Sequence, residues 1–206
     1  MKTMVNYVLE TPQAIRKMIS NTSNITEVLE YLVNRKIDHI YVVGSGTSYS
    51  AALCCVDPLE TMLHIPVYAY CAMEFVDNVK VIEENSLVIG FSQAGQSNST
   101  IQALDKARNH GCLTVVVTAE NPSPIVKHAD ACLKMDIEEA IGPKTKGYYC
   151  STVAVVLLFA QLLKFTNVIS HTEYVRMISE ILDVFDDFDE IKIATSYKDS
   201  RNGQVY

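Results

Sequence analysis

The sequence has no surplus of positive charge. Its 17 Lys and Arg face 24 Asp and Glu, a net charge of -7, the wrong sign for a surface that must neutralise a nucleic-acid backbone. No nucleic-acid partner is expected, whereas an anionic small molecule stays open, because backbone amides at a helix N-terminus hold a phosphate whatever the net charge. There is no C-x-x-C pair among the six cysteines, Cys54, Cys55, Cys71, Cys112, Cys132 and Cys150. Most lie in apolar surroundings such as Ala51-Ala52-Leu53-Cys54-Cys55 and read as buried free thiols, which argues against a zinc site or disulfide scaffold and for a reducing compartment. The start, Met1-Lys2-Thr3-Met4-Val5-Asn6, lacks the apolar stretch of a signal peptide, and the longest apolar run, 153–160, is far short of a membrane span. A cytoplasmic protein with no membrane contact is expected. Internal repeats and low-complexity linkers are also missing.

What is present is apolar material. Hydrophobic residues make up 49% and charged residues 20% of 206 residues, enough to offset chain entropy in one generous α/β domain but too little for two large cores. Short β-branched runs recur at 39–44, 66–70, 87–91, 113–117 and 131–135. Between them lie segments of helical composition at 48–63, 72–79, 100–110 and 124–128, after an opening helical stretch at 11–35 with Thr11-Pro12 as cap and first position. Apolar strands alternating with helices predict a five-stranded parallel sheet covered on both faces, a three-layer α/β sandwich of the flavodoxin-like or Rossmann-like kind. An irregular segment, 136–147, leads to an apolar helix at 148–168 and another at 171–189. The division expected is one domain over 1–190 and a tail, 191–206, in which 190–195 has the look of a first strand.

Ligands of an open parallel sheet bind beyond the carboxyl ends of its strands, and two of the loops there are unusual. Gly44-Ser45-Gly46-Thr47-Ser48 joins two glycines to three hydroxyls. Ser92-Gln93-Ala94-Gly95-Gln96-Ser97-Asn98-Ser99-Thr100 is a run of small polar residues entering a helix. Free N–H groups, a helix dipole and hydroxyls together suit a phosphate monoester; alternatively Ser97 or Ser99 only caps the helix and Gly95 only makes a turn. The first loop lacks the third glycine of a dinucleotide fingerprint, and no Gly-Lys-Ser/Thr follows as in a Walker loop. No cofactor and no metal are expected.

These segments, with Ile141-Gly142-Pro143-Lys144-Thr145-Lys146, resemble the SIS (sugar isomerase) family, in the order found in the isomerase half of glucosamine-fructose-6-phosphate synthases and in fructosamine 6-phosphate deglycases. The resemblance covers about 25–163. It implies a phosphosugar lying across the loops, with Ser92, Gln93 and Ser97 on the phosphate and Gly46, Thr47, Ser48 and Gly95 beside it. Lys144 and Thr145 would line the sugar pocket or form a solvated basic turn. Ala94 stands where the synthases usually have serine, and Ala140 where the third segment usually has glutamate.

Isomerisation needs a base near neutrality to move a proton between C1 and C2 and an acid to open the ring. Glu139 and Glu138 are the candidate bases; His39, His64, His110, His128 and His171 look like surface or capping residues. In the two-domain relatives the acid and base come largely from a second SIS domain. The expectation is therefore either a sugar-phosphate isomerase or deglycase, or a non-catalytic phosphosugar-binding module or half-enzyme. The apolar helix at 148–168 predicts a homodimer or larger homo-oligomer.

Overall fold

The five apolar runs form the five strands, displaced by at most a residue or so at their ends. In the computed structural model, which describes residues 2–140 and 144–186, these are β1 (His39–Gly44), β2 (Val67–Cys71), β3 (Ser86–Phe91), β4 (Leu113–Thr118) and β5 (Ala131–Lys134). All are parallel, in the order β2-β1-β3-β4-β5. The helices are α1 (Met4–Ser20), α2 (Ser23–Leu32), α3 (Thr47–Leu53), α4 (Val56–Leu63), α5 (Ala72–Asn78), α6 (Asn98–Asn109), α7 (Lys146–Phe165) and α8 (His171–Asp186), with a 3-10 turn at Pro124–His128.

Alternation along the strands divides the core into two layers. Ile40, Val42, Leu87, Ile89, Val115 and Val117 face α1, α2, α3, α4 and α7. Tyr41, Val43, Val88 and Val116 face Phe75 of α5 and Ala103, Leu104 and Ala107 of α6. The three-layer sandwich is the architecture the sequence predicts.

Three expectations change. The stretch at 11–35 is two helices, and the first begins well before Pro12, which sits inside α1. A capping box between Thr3 and Asn6 starts α1 early, and Pro12 costs the 17-residue helix only the donor to one carbonyl, that of Val8. The stretch at 48–63 breaks at Cys54-Cys55. Pro58 cannot donate to the Cys54 carbonyl and its ring would crowd it, whereas in the first turn of α4 its missing N–H costs nothing. Cys54 is exposed; Cys55 and Cys150 are buried and all six cysteines are free, burial pushing the Cys150 thiol up to about 12.

The apolar helix, α7, is long and apolar enough to cross a membrane, a length the run 153–160 understated. It runs between α1, α2, α3, α4 and α8, with Ala154, Val155, Leu157, Leu158, Phe159 and Ala160 buried, as in a core helix of a folded domain. The predicted strand at 190–195, the tail at 191–206 and Ile141, Gly142 and Pro143 lie outside the described residues.

Candidate functional site

Order β2-β1-β3 means that the chain leaves β1 toward one edge of the sheet and continues from β3 toward the other. The loops following β1 and β3 therefore diverge and open a crevice at the carboxyl ends of the strands. A small, partly open cleft lies there. Thr47 and Ser48 of α3 form one wall, Ser92 and Gln93 another, and Lys144, just before α7, closes it with Gly147, Tyr148 and Ser151 of α7, over a floor of Phe91 and Val117.

A chain of hydroxyls ties the two loops together. Ser45 Oγ lies 2.9 Å from Ser99 Oγ, which lies 3.1 Å from Ser97 Oγ. Ser97 is the cap of α6, accepting from the Thr100 N–H at 3.4 Å and its hydroxyl at 2.9 Å. The buried Ser92 hydroxyl accepts from the Ser97 N–H at 3.4 Å. Gly95 turns the loop with φ +64°, where a Cβ would fall 2.1 Å from Ser123 Oγ; no L side chain fits. Gly46, at φ +57°, heads α3, and Ala94 is exposed on the loop. The N–H groups of Asn98 and Ser99, in the first turn of α6, have no intrahelical acceptor and are directed to the same end of the sheet.

Glu139 is buried at 8% exposure and caps α7. Its Oε1 accepts from the Thr145 N–H at 2.7 Å, the Thr145 hydroxyl at 2.9 Å and the Lys146 N–H at 3.2 Å. Its Oε2 accepts from the Gly147 N–H at 2.8 Å and Gln93 Nε2 at 3.3 Å. Burial pushes the carboxyl up, but the N–H groups of Thr145 and Gly147, the Thr145 hydroxyl and the Gln93 amide together hold it below the ordinary carboxylate range. A base for isomerisation requires the opposite shift.

Glu138 faces the other way. It is exposed and lines a separate, open cleft with Lys2, Glu10 and Lys17 of the N-terminal region and Lys146. The Lys-Thr-Lys turn likewise divides: Lys144 lines the cleft and donates to the Glu139 carbonyl, Thr145 precedes α7 as its cap residue, and Lys146 is buried on the far side, 2.8 Å from Glu10. Of the expected residues, the structure thus collects Thr47, Ser48, Ser92, Gln93 and Lys144 around one cleft. Thr145 and Glu139 stand behind its α7 side, Gly46 heads α3 and Gly95 and Ser97 lie in the loop after β3 outside the lining, and Glu138 lies apart. Among the described residues no histidine lines this cleft, and no cluster of metal ligands occurs.

Sequence reasoning did not single out the Ser45–Ser99 bridge, Gly147, Tyr148 or Ser151. Ser99 carried a usable signal, since a second hydroxyl two residues beyond a cap faces the same loop. Glu139 as a cap carried none, because its partners follow six to eight residues later.

A doubly wound parallel sheet with hydroxyl-rich loops at its switch point defines a class of α/β ligand-binding domains. Within that class the chain belongs to the SIS domain family, whose model matches residues 31–161. A glutamine–fructose-6-phosphate aminotransferase of Caldanaerobacter subterraneus is 29% identical over 191 residues, covering 86% of this chain and 31% of its own length. A crystal structure of a candidate phosphosugar isomerase from Clostridium difficile 630 superimposes with a TM-score of 0.82 at 32% identity, covering 91% of this chain and 53% of that one. The Vibrio vulnificus NanR protein in complex with ManNAc-6P shares the fold at 19% identity, with a TM-score of 0.56 over 90% of this chain and 68% of NanR. The chain therefore spans about a third of that aminotransferase, at 31%, and about half of the Clostridium protein, at 53%.

Proposed function

We propose that this SIS domain binds a sugar phosphate of the hexose 6-phosphate class in the cleft between the β1 and β3 loops. The observation that carries the reading is the joining of the Ser45, Ser99 and Ser97 hydroxyls to the N-terminus of α6 at the sheet's switch point. Amides, hydroxyls and dipole there favour a dianion without any cation. Ser92, Thr47 and Ser48 supply further hydroxyls, and Lys144 the positive charge nearest the cleft. The relatives' names point to the same ligand class, fructose 6-phosphate for the aminotransferase and ManNAc-6P for NanR.

Binding is favoured over proton transfer by Glu139, whose carboxylate is engaged by five donors. The isomerase or deglycase alternative then needs its acid and base from another domain or subunit. The proposal extends to a reducing, cytoplasmic setting, in which six unpaired thiols are stable, and to a homodimer or larger assembly.

Thermal unfolding with fructose 6-phosphate tests the site. Ligand at a hundredfold excess over Kd adds about 2.7 kcal/mol to the wild type, and Ser92→Ala is expected to lose most of that gain. Equal stabilisation of both proteins overturns the assignment.

A further inference from the structure

Away from the cleft, on the face of the sheet that carries α5 and α6, three tyrosines stand side by side. Tyr41 of β1 is directly opposite Tyr68 of β2, their ring centres 5.3 Å apart, and Tyr70 stacks 6.3 Å from Tyr41. Phe75 of the seven-residue α5 covers Tyr41 and Tyr70, whereas Tyr68 stays 37% exposed. The chain between α5 and β3 runs along the other side. There Lys80, Val81 and Glu83, with Asn78 at the end of α5, face the tyrosines across an open groove of about 350 Å³, a size that takes a small ligand. Val81 is 75% exposed. Exposed aromatic and aliphatic surface, gathered in a groove and rimmed by polar groups, is the mark of a binding site. The groove shares no lining residue with the cleft, and Glu83 places it toward the amino ends of the strands, three residues before β3.

Charge decides what the groove can take. The buried Tyr41 hydroxyl donates to Glu83 Oε2 and fixes a carboxylate in the groove, which repels phosphate and other anions. Cations are repelled in turn. The Lys80 side chain lines the groove, with its ammonium on the Asp77 carbonyl. The Lys106 ammonium lies 5.4 Å from the centre of the Phe75 ring and 2.8 Å from each of the Phe75 and Val76 carbonyls. A neutral ligand remains. Among the described residues no hydrogen bond engages the Tyr68 or Tyr70 hydroxyl, the Asn78 amide or Glu83 Oε1, so the groove offers donors and acceptors together. We propose that it is a second binding site, for a neutral saccharide. A sugar ring lays its C–H face on the open face of Tyr68, an aromatic suited to a surface apolar at one end and wet at the other. Its hydroxyls donate to Glu83 and accept from Asn78 and the tyrosine hydroxyls. The groove and the cleft are independent sites, and either assignment can fail alone.

Saturation-transfer difference NMR on the full chain tests the groove, with glucose, galactose and N-acetylglucosamine as probes and adenosine and tetramethylammonium as controls. At least one of the three sugars is expected to bind, with millimolar affinity. Tyr68→Ala is expected to weaken that sugar about tenfold and Glu83→Gln about fivefold, whereas Tyr68→Phe keeps most of the affinity. Tyr68→Leu serves if the alanine variant does not fold. Saturating fructose 6-phosphate is expected to leave the sugar signal unchanged. Absence of transfer to all three sugars overturns the assignment. Transfer that persists at full strength in the Tyr68→Ala or Tyr68→Leu protein, or that fructose 6-phosphate abolishes, overturns it by placing the sugar elsewhere. Tighter binding of adenosine or tetramethylammonium than of any sugar overturns it in favour of a stacking or a cation site.

Discussion

Glu139 changes the meaning of an acidic residue next to a ligand loop. A buried but poorly satisfied glutamate there would be raised toward neutrality and fit for proton transfer; this one is lowered by the donors at the start of α7. Because its folded pKa lies below the ordinary value of about 4.3, the cap contributes stability above that value, and the contribution is lost as pH falls through the folded pKa. Urea unfolding at pH 7 is expected to place Glu139→Gln about 2 kcal/mol below the wild type, with the gap closing on the acid side. A gap that persists unchanged at low pH would show that the charge is not what stabilises α7. The two polar loops at the carboxyl end of the sheet were legible, because runs of glycine and serine follow apolar strands there. The direction in which Glu138 and Glu139 point was not, because that depends on α7 returning to the carboxyl end of the sheet and on α1 covering the far side.

At the scale of elements, α1 and the start of α7 are held together by a small polar cluster. Tyr7 Oη accepts from the Ala140 N–H at 3.1 Å. The Lys146 ammonium, on a side chain only 7% exposed, pairs with Glu10 at 2.8 Å and lies 4.9 Å from the centre of the Tyr7 ring. Glu10 also meets Lys2 at 2.6 Å. Removing one member of a buried ion pair leaves the other charge uncompensated, whereas replacing both costs far less. Glu10→Ala is expected to lower stability by about 3 kcal/mol, and the double variant with Lys146→Met to recover most of it, as read by denaturant midpoints. A double variant no more stable than the single one would deny the pair this role. Periodicity located the strands because each is short, apolar and bounded by turn residues. It could not place the start of α1 or the break between α3 and α4, where a capping box and Pro58 act on single backbone groups.

For the whole molecule, the sheet and both covered faces followed from the alternation of strand and helix. Reading α7 as an interface did not carry over so simply. Its apolar circumference is used inside the domain, by helices on several sides, so the case for assembly rests instead on Phe165, Val168, Val175 and Val184, exposed at the end of α7 and on α8. Sedimentation at micromolar concentration is expected to give at least twice the chain mass of 22.9 kDa; a single 22.9 kDa species refutes the proposal.

The contacts that fasten the start of α7 to α1 join residues 133 and 136 positions apart in the chain. Strands β1 to β4 and their loops can pair as soon as residue 118 has left the ribosome, yet the wall formed by Gln93, Glu139 and Gly147 has to wait for α7. Long-range closure of this kind is the slow part of folding. A nascent chain would accordingly hold a finished sheet before it holds a finished cleft, and the cleft would close only after both ends of the domain have met.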